Sequence, residues 1–171
     1  MLNILIAEGT PAVWQAERAG FGLPSNFSLV AGAVQLHQPG AHCAPLNIAD
    51  GEALPYGITL SDFDGVMFPG SPLHIYDSDP CVTRQIDFAR TAFAAGVPVW
   101  GSCWGLQLAV VALGGSVPLE RDARDLAGTG ASARHGLVRC CWFANRHDLA
   151  GCWRHRTELC PRLGQLPPLL K

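Results

Sequence analysis

Short unbroken apolar runs and helical-period segments take turns along the first two-thirds of the chain. Leu2 to Ala7 is an apolar run of the kind a fully buried central strand needs, and Glu8-Gly-Thr-Pro11 breaks it. A helix is expected from a cap at Ser25 or Asn26, through Leu29, Val30, Ala33, Val34 and Leu36, to the stop at Pro39-Gly40. His42 to Ile48 reads as a second strand and Asp64 to Phe68 as a third, buried on both faces. Asp77 or Asp79 would cap a further helix whose apolar stripe is Val82, Ile86, Phe88, Ala89 and Phe93. Val97 to Gly101 then reads as a strand, and Leu106 to Leu113 as a helix ended by Gly114 and Gly115. Strands alternating with helices predict an α/β fold in three layers, with a mostly parallel sheet covered by helices on both faces. Reactive groups in such sheets gather at the carboxyl ends of strands.

Two candidate sites fall at such ends. Gly101-Ser-Cys-Trp-Gly105 joins the last strand to the last helix, and Gly-x-Cys-x-Gly at that junction is the thiol form of the strained strand-to-helix turn that holds a nucleophile out of the fold. Cys103 is the candidate nucleophile. The unpaired N–H groups and the dipole at the start of the helix favour negative charge there, and the N–H of Trp104 would face a reacting carbonyl. The second site is Pro69-Gly-Ser-Pro72 after the third strand, which taken alone reads as a tight turn.

Together these segments resemble the class I glutamine amidotransferases, whose glutaminase domains carry Gly-x-Cys-x-Gly-x-Gln and a helix ending in Gly-Gly. Gly101, Cys103, Gly105, Gln107, Gly114 and Gly115 match, and Asp62-Phe-Asp-Gly-Val-Met-Phe-Pro-Gly-Ser-Pro72 is similar to the family's strand that ends in an oxyanion loop. The likeness covers residues 1–117 and is strongest to glutaminases of GMP synthase type and their stand-alone relatives. It implies a flavodoxin-like fold and hydrolysis of the glutamine side-chain amide through a Cys103 thioester, giving glutamate and ammonia. By the same resemblance Ser71 and Trp104 supply oxyanion-hole N–H groups with Gly70 allowing the turn, and Gln107, Gly101 and Gly105 form the glutamine site. Ammonia would pass to a synthetase subunit, and no cofactor or metal is implied. Gln107 also reads as a solvated residue in the first turns of a helix.

The family's His-x-Glu, which completes the triad, does not occur in the 171 residues. None of His37, His42, His74, His135, His147 and His155 has a carboxylate two positions on. His155 with Glu158 is a poor imitation, and His74 follows the oxyanion loop closely enough either to approach the site or simply to be solvated. Loss of triad members lowers rates by orders of magnitude, so the chain as written is expected to be impaired or inactive as a glutaminase. The alternative is a non-catalytic or redox-sensing relative that uses an exposed Cys103. A cysteine hydrolase of another amide or ester is a third reading.

Character changes near residue 118. Residues 1–118 hold 3 arginines and 9 acidic residues, whereas 119–171 hold 8 arginines, 1 lysine and 5 acidic residues, so the formal charge reverses from −6 to +4. The later part also holds 4 of the 7 cysteines, one valine and no isoleucine, and no strand or helix period survives in it. We therefore divide the chain into an amidotransferase-like part, 1–118, and an atypical tail, 119–171. The tail reads as a divergent basic surface, as a metal module of His147, Cys152, His155 and Cys160, whose spacing fits zinc badly, or as a stretch translated out of frame, which its Arg, Cys and Trp enrichment favours.

Composition adds limits. A chain 49% hydrophobic and 15% charged can build one globular core. No run approaches a membrane span or a signal peptide, and a net charge of −2 gives no electrostatic footprint for nucleic acid, so a cytoplasmic protein with neither a membrane nor a nucleic-acid partner is expected. Seven cysteines without a secretory signal argue against a disulfide framework.

Overall fold

The computed structural model describes residues 1–117 and 141–143. His147, Cys152, His155, Glu158 and Cys160, and with them the metal-module reading, lie outside the described residues. Strand β1 (Asn3–Glu8) is buried from Ile4 onward, as its apolar run requires, and hydrogen-bonds on both edges. It pairs in parallel with β2 (His42–Asn47) on one side and with β3 (Gly65–Phe68) on the other. Strand β4 (Val99–Gly101) continues the parallel sheet from β3. The order β2-β1-β3-β4 is that of the flavodoxin-like doubly wound sheet. The tail, where no strand is expected from the sequence, contributes β5 (Cys141–Phe143), antiparallel to β4. Its three residues are too few to show an alternating pattern.

Side chains alternate across β1 and so feed two separate cores. Leu5 and Ala7 join Leu46, Val66, Phe68 and Val99 in the larger cluster, where they meet Val82 and Ala89 of α3 (Pro80–Ala94) and Leu108 of α4 (Trp104–Ala112). Ile4 and Ile6 face the opposite way, onto Ala31, Val30 and Val34 of α2 (Asn26–His37). Helices thus cover both faces, and the three-layer reading holds. Phe68 and Phe88 lock β3 to α3 edge-to-face, with centroids 6.2 Å apart.

Capping follows local chemistry. Ser25 caps α2 by accepting from the Ser28 N–H at 3.0 Å, and Asp79 rather than Asp77 caps α3, accepting from the Cys81 N–H at 2.7 Å with Pro80 in the first turn. Helix α1 (Ala12–Gly20) is absent from the sequence expectation, which stops at Pro11. None of its residues is buried, and its apolar Val13 and Trp14 are exposed, so it packs on neither core. It is instead tied on by the Ala12 N–H to Asp50 and by the Gln15 amide to the Thr10 carbonyl, at 2.8 and 2.6 Å. Among the described residues no helix is long and apolar enough to cross a membrane.

Leu108 is fully buried where α4 meets the sheet, whereas Leu36 on α2 is 77% exposed. Leu108→Ala is expected to lower unfolding stability by about 2–5 kcal/mol, and Leu36→Ala by no more than about 0.5 kcal/mol. Urea midpoints at unchanged slope measure both.

Candidate active site

Three strand ends meet at the topological switch between β1 and β3: the loop Gly9-Thr10 after β1, Pro69-Gly70-Ser71 after β3, and Ser102-Cys103 after β4. The turn after β4 is built by close contact. A Cβ on Gly101 would come within 2.6 Å of the Gly105 carbonyl oxygen, and one on Gly105 would collide with the Phe68 carbonyl and approach the Phe68 side chain to 2.7 Å. Only glycine at both positions lets the first turn of α4 sit on β3 and β4. The Ser102 N–H completes the seating by donating to the Phe68 carbonyl at 3.0 Å.

Between those two glycines the chain has one way to go. Cys103 takes φ 53° and ψ −106°, and it is the only non-glycine residue with positive φ among the described residues. Such a conformation costs ~1–3 kcal/mol and persists only when its surroundings impose it. Its thiol side chain is exposed, while Trp104 beside it is buried. The Cys103 carbonyl starts the helix by accepting from the N–H groups of Leu106 and Gln107 at 3.1 and 3.2 Å.

The loop after β3 lies against this turn, since a Cβ on Gly70 would sit 3.9 Å from the Cys103 Cβ. Among the described residues the N–H groups of Ser71 and Trp104 have no hydrogen-bond acceptor. Both loops are fixed through one chain of side chains. Ser71 Oγ donates to the Gly9 carbonyl at 2.9 Å, and Gln85 Nε2 donates to the same carbonyl at 3.2 Å. Gln85 Oε1 in turn accepts from the Trp104 indole N–H at 2.8 Å. Gln85 and Trp104 are essentially inaccessible to solvent, and a Cβ on Gly9 would lie 2.7 Å from Gln85 Oε1.

Sequence reasoning missed Gln85, although it shares a helical stripe with Val82, Ala89 and Ala92, all buried. It also missed Glu8, a buried carboxylate that accepts from the N–H groups of Thr10 and Phe27, each at 3.1 Å. Gln107 is half-buried and its side-chain amide has no partner among the described residues. His74 is exposed, and the structure does not bring it into a hydrogen bond with the turn.

A family model described as glutamine amidotransferase class-I matches residues 41–161, across the change in composition. The chain belongs to the class I glutamine amidotransferases. This amidotransferase chain is 53% identical, over 66 residues, to a gamma-glutamyl-L-1-hydroxyisopropylamide hydrolase from Pseudomonas sp, a stretch covering 39% of the chain and 22% of that protein. It is 27% identical over 113 residues to a GMP synthase [glutamine-hydrolyzing] from Clostridium tetani, covering 63% of the chain and 20% of the synthase. Among solved structures it is similar to a glutamine amido transferase from Methylobacillus Flagellatus, with 23% identity, a TM-score of 0.37 and coverage of 66% of this chain and 38% of that one. The chain spans about a fifth of the length of these two curated relatives.

Two outcomes check the geometry. Trp104→Phe strands Gln85 Oε1 without its donor and is expected to cost about 1–3 kcal/mol in chemical denaturation. Partial burial pushes the Cys43 thiol above its ordinary range, so less of it is thiolate at a given pH. Of Cys43, Cys81 and Cys103, exposed Cys103 is expected to react first with iodoacetamide at pH 8, ahead of Cys43 and of buried Cys81, as peptide mass mapping over time would record.

Proposed function

We propose that this chain cleaves a γ-glutamyl amide through Cys103, with glutamine as the simplest substrate. The observation that carries the reading is an exposed cysteine at φ 53°, beside Gly70 and two N–H groups that have no acceptor among the described residues. In this reading the Cys103 thiolate attacks the γ-carbonyl carbon, forming a C–S bond while the carbonyl π pair moves onto oxygen. That oxyanion accepts from the N–H groups of Ser71 and Trp104. The C–N bond then breaks, the nitrogen leaves as ammonia after taking up a proton, and water cleaves the thioester to glutamate and free thiol. Gln107 helps hold the substrate, while Gly101, Gly105 and Gly70 serve it by allowing the two turns.

The family's His-x-Glu has no counterpart in these residues, so turnover should fall orders of magnitude short of a complete triad. Ammonia would pass to a separate synthetase subunit. A second substrate reading rests on the Pseudomonas relative: its printed name describes a hydrolase of an N-substituted γ-glutamyl amide, which would release an amine instead of ammonia and need no synthetase. Placement in the cytoplasm and the division of the chain at residue 118 belong to the same proposal.

A glutamine-mimicking chloroketone is expected to add a label at Cys103 that disappears in Cys103→Ala, by mass spectrometry of digested protein. Alkylation of Cys103 by iodoacetamide with no labelling by the chloroketone would sink the γ-glutamyl pocket and favour a thiol sensor. Glutamate release from glutamine against release from γ-glutamyl-L-1-hydroxyisopropylamide separates the two substrates.

A further inference from the structure

The nitrogen of Asn26, at the first turn of α2, donates to the Gly70 carbonyl at 2.8 Å across 44 residues of sequence. The same nitrogen lies 3.1 Å from Thr10 Oγ1 and 3.4 Å from Glu8 Oε1. Two of these three neighbours, a carbonyl and a carboxylate, can only accept, so the amide must present its nitrogen and not its oxygen to them. Glu8 is itself held by the N–H groups of Thr10 and Phe27, which leaves Asn26 little freedom to turn.

No cis peptide occurs among the described residues, so the Gly70 carbonyl and the Ser71 N–H point in opposite directions across one planar unit. Whatever holds the carbonyl therefore aims the N–H. The Ser71 hydroxyl is already committed to the Gly9 carbonyl, which leaves the backbone N–H as the donor that Ser71 can offer a ligand.

We propose that Asn26 is a positioning residue of the γ-glutamyl amide reaction, holding the Gly70 carbonyl back from Cys103 so that the Ser71 N–H faces the developing oxyanion. This inference rests on the reading of Cys103 as the nucleophile. Without the Asn26 donor the Gly70–Ser71 peptide is free to turn over. A turned peptide presents a carbonyl oxygen beside the thiol, which repels the oxyanion instead of stabilising it.

The test compares the full chain with Asn26→Ala, which removes the donor, and Asn26→Asp, which keeps the shape and cannot donate when ionised. Loss of one oxyanion donor costs about 10²-fold in rate, so chloroketone labelling of Cys103 and kcat for glutamate release are expected to fall by about that factor. KM and the iodoacetamide rate at Cys103 should stay within about twofold, because neither requires the oxyanion donor. A parallel fall in chloroketone and iodoacetamide rates would mark a merely structural role and overturn the proposal, as would no fall in either. Should Asn26→Asp fail to fold because its carboxylate meets Glu8, Asn26→Ala answers alone.

A crystal structure of Asn26→Ala tests the geometry whatever the chemistry. Reorientation or disorder of the 70–71 peptide supports the inference, and an unchanged peptide overturns it. If the wild-type chain neither hydrolyses γ-glutamyl amides nor takes the chloroketone, the reaction assignment fails while this structure still decides what Asn26 holds.

Discussion

Everything at this site follows from how closely α4 sits on β3. The backbone of Gly105 touches the Phe68 carbonyl, and Gly101 faces Gly105 with no room for a side chain between them. That approach leaves the linking residue no relaxed conformation, so Cys103 is forced to positive φ with its thiol exposed. The strain is stabilised from below, because Phe68, Leu108 and Trp104 belong to one buried cluster and cannot separate without exposing it. The strained position is thereby held by packing rather than by contacts of its own side chain.

The second organising feature is polar and buried. Glu8 and Gln85 are removed from solvent behind the strand ends, which would be costly if their groups lacked partners. The carboxylate receives donors from Thr10, Phe27 and Asn26, and the amide bridges Gly9 to Trp104. No buried side-chain polar atom is left unsatisfied among the described residues. These bonds connect segments distant in sequence, so they define the separation of the Gly70–Ser71 loop and the Cys103 turn more tightly than apolar packing alone.

The parallel sheet places the exposed Cys103 at the carboxyl end of β4, beside the loop that follows β3. The strand ends supply an exposed thiol and, among the described residues, two N–H groups without acceptors. Proton transfer needs a base, and the sequence offers no His-x-Glu to provide it. In cysteine and serine hydrolases generally, binding and oxyanion stabilisation persist when the base is lost, so the reactivity of a thiol and full turnover are separable properties.

Most of the central elements were legible because each carries its own periodicity. The apolar run at Leu2–Ala7, caps narrowed to Ser25 or Asn26 and to Asp77 or Asp79, and the Gly-x-Cys-x-Gly turn are local signals that nearest-neighbour sterics and hydrogen bonding decide. Helix α1 was not legible, since it buries nothing and is fastened by bonds reaching as far as Asp50. Strand β5 was not legible either, being three residues long and defined by its pairing to β4. By itself the sequence determined the class of fold and the identity of the candidate nucleophile, because both depend on spacing within a few residues. Only the tertiary structure decided that Glu8, Asn26 and Gln85 gather at the strand ends beside Cys103, because each is held by groups 16 to 76 positions away that no local pattern encodes.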